Sequence, residues 1–307
     1  MSLHTTHAIP APLDDVWRWH TRPGAVQRLT PPFLPMTVVS GADSLRNGTT
    51  VFSLPAGQKW VARHQPDGYV EGERFVDEAA NTPIKQLTKW RHEHRFEADG
   101  DRTRITDTVH TTAPGKVLAP AFAYRQHQLE EDLAFLGRMR QLGGDEAPKK
   151  LTVAMTGSRG LVGTALTAQL TTAGHEVIQL VRGDASDGQR HWNMDEPDPE
   201  HLRGVDAVVH LAGESIMGRF TDEHKAAIYS SRIGPTRRLA QCAAQAGVKT
   251  FVGASAVGFY GTDAGGRIHT EADSRGDGFL ADVVDEWERA TSPAKEGGVR
   301  TVNIRTG

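Results

Sequence analysis

Three glycines at three-residue steps, Gly157, Gly160 and Gly163, follow a short apolar run in LTVAMTGSRGLVG (151–163). Leu151, Val153 and Met155 give that run the length of a buried parallel strand, and Leu166 and Leu170 continue beyond it as a helix up to Gly174. Each glycine has a physical job. Gly157 turns the chain sharply off the strand, Gly160 lets the backbone approach a pyrophosphate, and Gly163 lets the helix pack on the sheet. The backbone from Ser158 and Arg159 through Leu161 and Val162 then faces the phosphates, with the positive end of the helix dipole behind it. A Gly-x-x-Gly-x-x-Gly string is weak by itself. A strand before it and a helix after it are the context that makes it a dinucleotide site rather than a plain strand–turn–helix.

The end of the next strand selects the cofactor. Residues 176–181, EVIQLV, form that strand, and Arg182 stands where an acidic side chain would bind the ribose 2′-hydroxyl. An arginine there accepts a 2′-phosphate, and Arg159 in the glycine loop reaches the same group. Two guanidiniums favour NADP, because arginine matches phosphate geometry and stays charged. Asp184 and Asp187 just beyond keep NAD open. A further apolar run, DAVVHL (206–211), ends at Leu211 and leads into Ala212 and Gly213, small residues across which a cofactor can lie.

These signals need a parallel sheet to hold them. Helices are expected near 221–231, 235–246 and 279–290, and strands over 250–254, ending in Ser255, and 300–305. Strand and helix alternate throughout, so residues 150–307 read as a doubly wound α/β domain. The final VNIRTG stops as a strand reaches its ligand edge, so this domain is expected to be truncated at its C-terminus.

Residues 1–145 read differently. Asp14 and Asp15 suit the first turn of a helix that Pro23-Gly24 interrupts. From Thr37 to Thr112 the text is strand-like, with turn signals at Asn47-Gly48, Asp67-Gly68 and Asp99-Gly100. Trp90, His92, His94 and Phe96 alternate with charged residues at the period of a half-buried strand. Leu129, Leu133 and Leu136 then mark a long helix. This is an α+β layout with a helix gripping a curved sheet. His92 and His94 share a face and could be two metal ligands. No third ligand is tied to them in sequence, so they are expected to be polar or cavity-lining residues, with no metal. Residues 143–150, rich in Gly, Pro and charge, read as the linker.

Composition sets the outer bounds. The 307 residues suffice for two domains with real cores. A net charge of -3 gives no reason to expect nucleic acid or an anionic membrane as partner. No apolar run approaches a membrane span, and the polar MSLHTTH start is no secretory signal. The single cysteine, Cys242, cannot form an internal disulfide and reads as a packed core thiol. A cytoplasmic location is the expectation.

TGSRGLVG, DAVVHLAGESI, Ser231-Arg232, SAVGFYG, GFLADVVDEWERA and the final IRTG together resemble one branch of the extended short-chain dehydrogenase/reductases. It is the branch labelled nucleoside-diphosphate-sugar epimerase, or SulA-like "cell division inhibitor". Some members carry a START-like, polyketide-cyclase-like helix-grip domain in front, as residues 1–145 resemble. The resemblance implies an NADP-dependent oxidoreductase or epimerase, transferring hydride on a small hydroxyl or carbonyl substrate. It also implies an apolar ligand between sheet and long helix in the first domain. Enzymes of the superfamily use a serine or threonine, a tyrosine acid/base, and a lysine four residues after the tyrosine. Ser255 fits the serine role beside the cofactor. Phe279 and Val283 hold the tyrosine–lysine spacing, and neither moves a proton. Tyr260 is the candidate substitute acid, although no lysine is tied to it; the other reading packs its ring on the nicotinamide-side wall. Glu214, Asp282 and Lys225 are further proton carriers within reach of the fold. The alternative function is a non-catalytic NADP-binding sensor or scaffold whose first domain captures the apolar ligand.

Overall fold

The computed structural model describes residues 2–143, 149–262 and 268–307. Most of the expected linker, residues 144–148, lies outside the described residues. The chain separates into two compact units: residues 1–149 with 165–174, and residues 150–164 with 175–307.

The first unit runs β1 (Ser2–Ile9), α1 (Leu13–His20), α2 (Ala25–Leu29), β2 (Thr37–Ser40), β3 (Thr49–Ser53), β4 (Lys59–His64), β5 (Arg74–Ala79), α3 (Ile84–Thr88), β6 (Arg91–Asp99), β7 (Arg102–His110) and α4 (Gly115–Leu142). Its seven strands form one antiparallel sheet in the order β1-β7-β6-β5-β4-β3-β2. This is the layout expected of a helix-grip domain. The alternation read over Trp90–Phe96 is real: His92, His94 and Phe96 are buried and their neighbours are not. Trp17 of α1 packs edge-on against Phe96 and Phe75, and Trp19 is almost fully buried in the same core. Each such large side chain contributes about 1.5–3 kcal/mol of burial. Strand β1 escapes the sequence reading. Thr5 and His7 sit on its partly buried side between Leu3 and Ile9, and they mask the period-two signal.

The remaining elements are β8 (Thr152–Thr156), α5 (Leu161–Ala173), β9 (Glu176–Val181), β10 (Gln189–His191), β11 (Ala207–His210), α6 (Asp222–Ser230), α7 (Ile233–Gln245), β12 (Thr250–Ala256), α8 (Phe279–Arg289), α9 (Ser292–Glu296) and β13 (Arg300–Thr306). Their six strands are parallel, in the order β10-β9-β8-β11-β12-β13. The fold is a doubly wound Rossmann-type sheet. The order reverses between β8 and β11, the switch point where such sheets bind ligands at their carboxyl ends. Val153, Ala154, Met155 and Thr156 are all buried, as a central parallel strand requires. Sequence reading misses β10 and α9, which are short and polar. It also ends the fifth strand of this sheet too early: Ser255 lies inside β12, opposite Arg305 of β13.

Candidate functional site

The glycine loop follows β8 directly. Gly157 has a φ of +68°, and a Cβ there would stand 2.7 Å from the Leu211 carbonyl carbon. Only glycine meets both conditions. At Gly163 a Cβ would lie 2.3 Å from the Gly157 carbonyl oxygen and 2.7 Å from Ser158 Cα. The close approach is thus between helix and loop backbone, not between helix and sheet as the sequence reading has it. Gly160 is looser, with the Gly157 oxygen 3.3 Å away as its nearest neighbour. The first-turn N–H groups of Leu161 and Val162 find no acceptor among the described residues, as expected where a helix begins.

A groove of about 720 Å³ opens at this switch point. Gly157, Ser158, Arg159 and Gly160 form one wall and Arg182 stands on another. Leu211, Ala212 and Gly213 form its ledge. Neither Arg159 nor Arg182 has an ion-pair partner among the described residues, and both are exposed. Leu161 and Val162 are 91% and 57% exposed and do not line the groove, and neither does Gly163.

The ledge is held from behind by buried polar groups. Thr156 Oγ1 accepts from the amides of Leu211 (3.2 Å) and Ala212 (3.4 Å) and lies 2.6 Å from His210 Nδ1. His210 Nε2 is 2.9 Å from Thr236 Oγ1, which also accepts from Trp287 Nε1 at 3.0 Å. Burial, with Arg232 adding to it, pushes His210 down to about 4, so the imidazole is neutral at pH 7. Ser231 and Arg232 explain their own place in the sequence pattern. Ser231 Oγ accepts from the Glu214 amide at 3.0 Å, and Arg232 donates to the Glu214 carbonyl at 2.9 Å. The guanidinium also lies 5.0 Å over the Trp287 ring.

Ser255 and Tyr260 do not line the groove. They belong to a second constellation that sequence reading misses. The Ser255 hydroxyl donates to Glu288 Oε1 at 2.5 Å, and Arg305 clasps the same carboxylate through Nε and Nη2, each at 2.8 Å. Arg305 Nη1 donates to the Tyr260 hydroxyl oxygen at 2.8 Å, while that hydroxyl donates to the Thr270 carbonyl at 2.9 Å. The Tyr260 ring stacks on His269. Tyr260 therefore has a cation beside it, but an arginine from β13 rather than a lysine. Of the other candidates, Phe279 packs under Lys225, Val283 is core, and Asp282 pairs with Arg275. Glu214 is exposed. Glu288 and Arg305 stand in two of the stretches that carry the resemblance, but no spacing rule links them.

In the first unit the structure brings two carboxylates, Asp77 and Asp107, to the His92–His94 pair. A carboxylate that the sequence did not tie to the pair, Asp77, thus stands beside both imidazoles.

Residues 153–277 match the family described as "NAD dependent epimerase/dehydratase family", and residues 9–140 match "Polyketide cyclase / dehydrase and lipid transport". The chain is similar to the crystal structure of a nucleoside-diphosphate sugar epimerase from Corynebacterium glutamicum. The two are 52% identical with a TM-score of 0.92, over 99% of this chain and 65% of that one. It is 46% identical over 159 residues to epimerase family protein Mb2239 of Mycobacterium bovis, covering 50% of this chain and 52% of that protein. It is 36% identical over 166 residues to epimerase family protein YfhF of Bacillus subtilis, covering 51% and 54%. The chain spans about half the length of these curated relatives. Over residues 9–140 it is thus similar to the polyketide cyclase/dehydrase and lipid-transport family, and over residues 153–277 to the NAD-dependent epimerase/dehydratase family.

Proposed function

We propose that the groove at the β8–β11 switch point binds NADP, and that the chain acts as an NADP-dependent oxidoreductase or epimerase on a small hydroxyl or carbonyl substrate. The observation that carries this reading is the glycine loop: first-turn amides without an acceptor among the described residues, beside an open groove whose rim bears Arg159 and Arg182, neither ion-paired among those residues. These groups fit a diphosphate and a 2′-phosphate respectively. Bound there, the nicotinamide would supply a hydride donor or acceptor. The chain's own residues would supply the proton. Arg305 holds its charge 2.8 Å from the Tyr260 oxygen, where the superfamily pattern has a lysine, so a phenolate formed there would face a guanidinium. Ser255, fixed through Glu288, would orient the substrate oxygen. The first unit would hold an apolar ligand between its sheet and α4, in keeping with the family that residues 9–140 match.

Arg182→Asp is expected to weaken NADPH binding about 10- to 100-fold while leaving NADH within a few-fold, the loss of one charged phosphate contact. Equal losses for both nucleotides, measured by calorimetry, would remove the 2′-phosphate assignment. A second reading draws on the hydroxyls of Ser255 and Tyr260, which are both engaged by internal partners. That arrangement favours a non-catalytic NADP-binding sensor or scaffold. NADPH consumption against a panel of carbonyl compounds separates the two. Under the enzyme reading Tyr260→Phe and Ser255→Ala each lower the rate at least tenfold; tight NADPH binding with no turnover by the parent chain supports the sensor.

A further inference from the structure

Among the described residues, a concentrated set of metal-ligating side chains outside the groove lies in the first unit, on three neighbouring strands. Asp77 of β5 pairs in register with His92 of β6, and His94 of β6 pairs with Asp107 of β7. Asp107 Oδ1 stands 2.9 Å from His92 Nε2 and 2.9 Å from His94 Nδ1. One carboxylate oxygen therefore occupies the outer nitrogen of both imidazoles. The other two nitrogens, His92 Nδ1 and His94 Nε2, each stand 3.6 Å from Asp77 Oδ2. One ligand atom from each of Asp77, His92 and His94 lies within 4.8 Å of the other two. The second oxygen of Asp77 accepts from the Trp90 indole N–H at 2.9 Å.

A separation of 3.6 Å is too long for a hydrogen bond. It is close to the edge of a coordination polyhedron: ligands about 2.0–2.1 Å from a tetrahedral ion stand roughly 3.3 Å apart. The hydrogen bonds sharpen the point. If both neutral imidazoles give their one N–H to Asp107, the inner nitrogens present lone pairs to an Asp77 oxygen. Three acceptors then converge with no proton among them, an arrangement that a bound cation satisfies. An outer carboxylate that fixes tautomer and ring orientation is the usual companion of histidine ligands. With both imidazoles neutral, as ligation requires, the two carboxylates sum to the charge a dication cancels. Arg125 of α4, His64 of β4, His7 of β1 and His20 of α1 are other titratable groups in electrostatic reach. Phe75 stacks on His94 at 4.1 Å and Phe122 of α4 meets the His92 ring edge-on, so the pair is walled by apolar rings. Asp77 keeps 15% of its side-chain surface exposed and is the open side.

We propose that Asp77, His92 and His94 bind a divalent first-row transition metal of the zinc type, with Asp107 as the carboxylate that orients both imidazoles. Two nitrogens and one oxygen favour such an ion over calcium or magnesium. The site is independent of the nucleotide groove and of its reading.

The test is titration of the chelator-treated full chain with Co²⁺, followed by its visible ligand-field absorption and by displacement with Zn²⁺. One equivalent should bind and give a low-symmetry cobalt spectrum that Zn²⁺ abolishes. His94→Gln and Asp77→Asn, both close in shape, should each weaken Co²⁺ binding at least tenfold. Asp107→Asn should weaken it about 10- to 100-fold while keeping one site. Far-UV circular dichroism confirms that the variants fold. Absence of a stoichiometric cobalt complex in the parent chain would overturn the proposal. So would folded His94→Gln and Asp77→Asn variants that bind Co²⁺ as the parent does; the cluster would then be a metal-free hydrogen-bond network.

Discussion

Gly163→Ala is expected to lower NADPH affinity about 100-fold while leaving the chain folded. The added methyl would sit 2.3 Å from the Gly157 carbonyl oxygen and 2.7 Å from Ser158 Cα, and both are backbone atoms. No rotamer change can relieve such a contact, so the loop itself must move by about an ångström. That displacement carries the amides at the helix start away from the position that meets a phosphate, and misplacement of this size typically costs two orders of magnitude. The strain itself costs about 1–3 kcal/mol, as overpacking does. Gly160→Ala is the internal comparison. Its Cβ would meet only the Gly157 oxygen at 3.3 Å, so the protein alone accommodates it. Stability should barely change at that position, and affinity should fall only because the methyl stands where the diphosphate approaches. Calorimetry and thermal melts on the two variants check both halves. Retention of parent-like affinity by Gly163→Ala would mean that the loop does not grip a diphosphate.

The parts of this picture that were legible in sequence are those written locally. The strand, the three glycines and the helix lie within some twenty consecutive residues. Arg182 could be placed because β9 ends where its apolar text ends. Contacts between distant segments were not legible. Glu288 meets Arg305 across 17 positions and Ser255 across 33, and only the packing of α8 on β12 brings them together. The histidine cluster falls between these cases. The tight turn at Gly100 sets Asp99 opposite Arg102, and counting back along that hairpin puts His94 opposite Asp107. That register could have been read from the Asp-Gly signal. Asp77 could not, because the β5–β6 connection contains α3 and has no fixed count.

The two constellations of the second unit differ in what holds them. The ledge at Leu211–Gly213 rests on neutral hydrogen bonds, which depend little on pH near neutrality. The Ser255–Glu288–Arg305–Tyr260 set rests on an ion pair, and this makes it sensitive to acid.

Glu288→Gln should therefore destabilise the chain at neutral pH by about 2–3 kcal/mol, and by progressively less as the solution is acidified. In the parent, Glu288 accepts three hydrogen bonds, one from Ser255 and two from Arg305. Bonds to a charged group are worth roughly 1.5–3 kcal/mol, and Arg305, with 19% of its side chain exposed, would be left without its counter-charge. Burial alone would raise the Glu288 carboxyl, but the hydrogen bonds from Arg305 and Ser255 outweigh it and hold the group below its ordinary value of 4.5. The sign follows from that direction. A carboxyl depressed in the folded state stabilises fully above its unfolded value and loses that contribution as pH falls through the folded one. The amide has no proton to gain. Melting temperatures of parent and variant should lie several degrees apart from pH 6 to 8 and converge below about pH 4.5, since each kcal/mol moves a protein of this size by about 2–4 °C. Profiles that stay parallel down to pH 3 would show that the Glu288 charge does not support the fold. The same variant reads out the chemistry, because Arg305 would then lose its counter-charge and face only neutral acceptors, among them the Tyr260 oxygen. If Tyr260 is the proton carrier, the pH profile of any NADPH-dependent turnover must shift in Glu288→Gln, whereas a purely structural carboxylate would lower the rate without moving that profile.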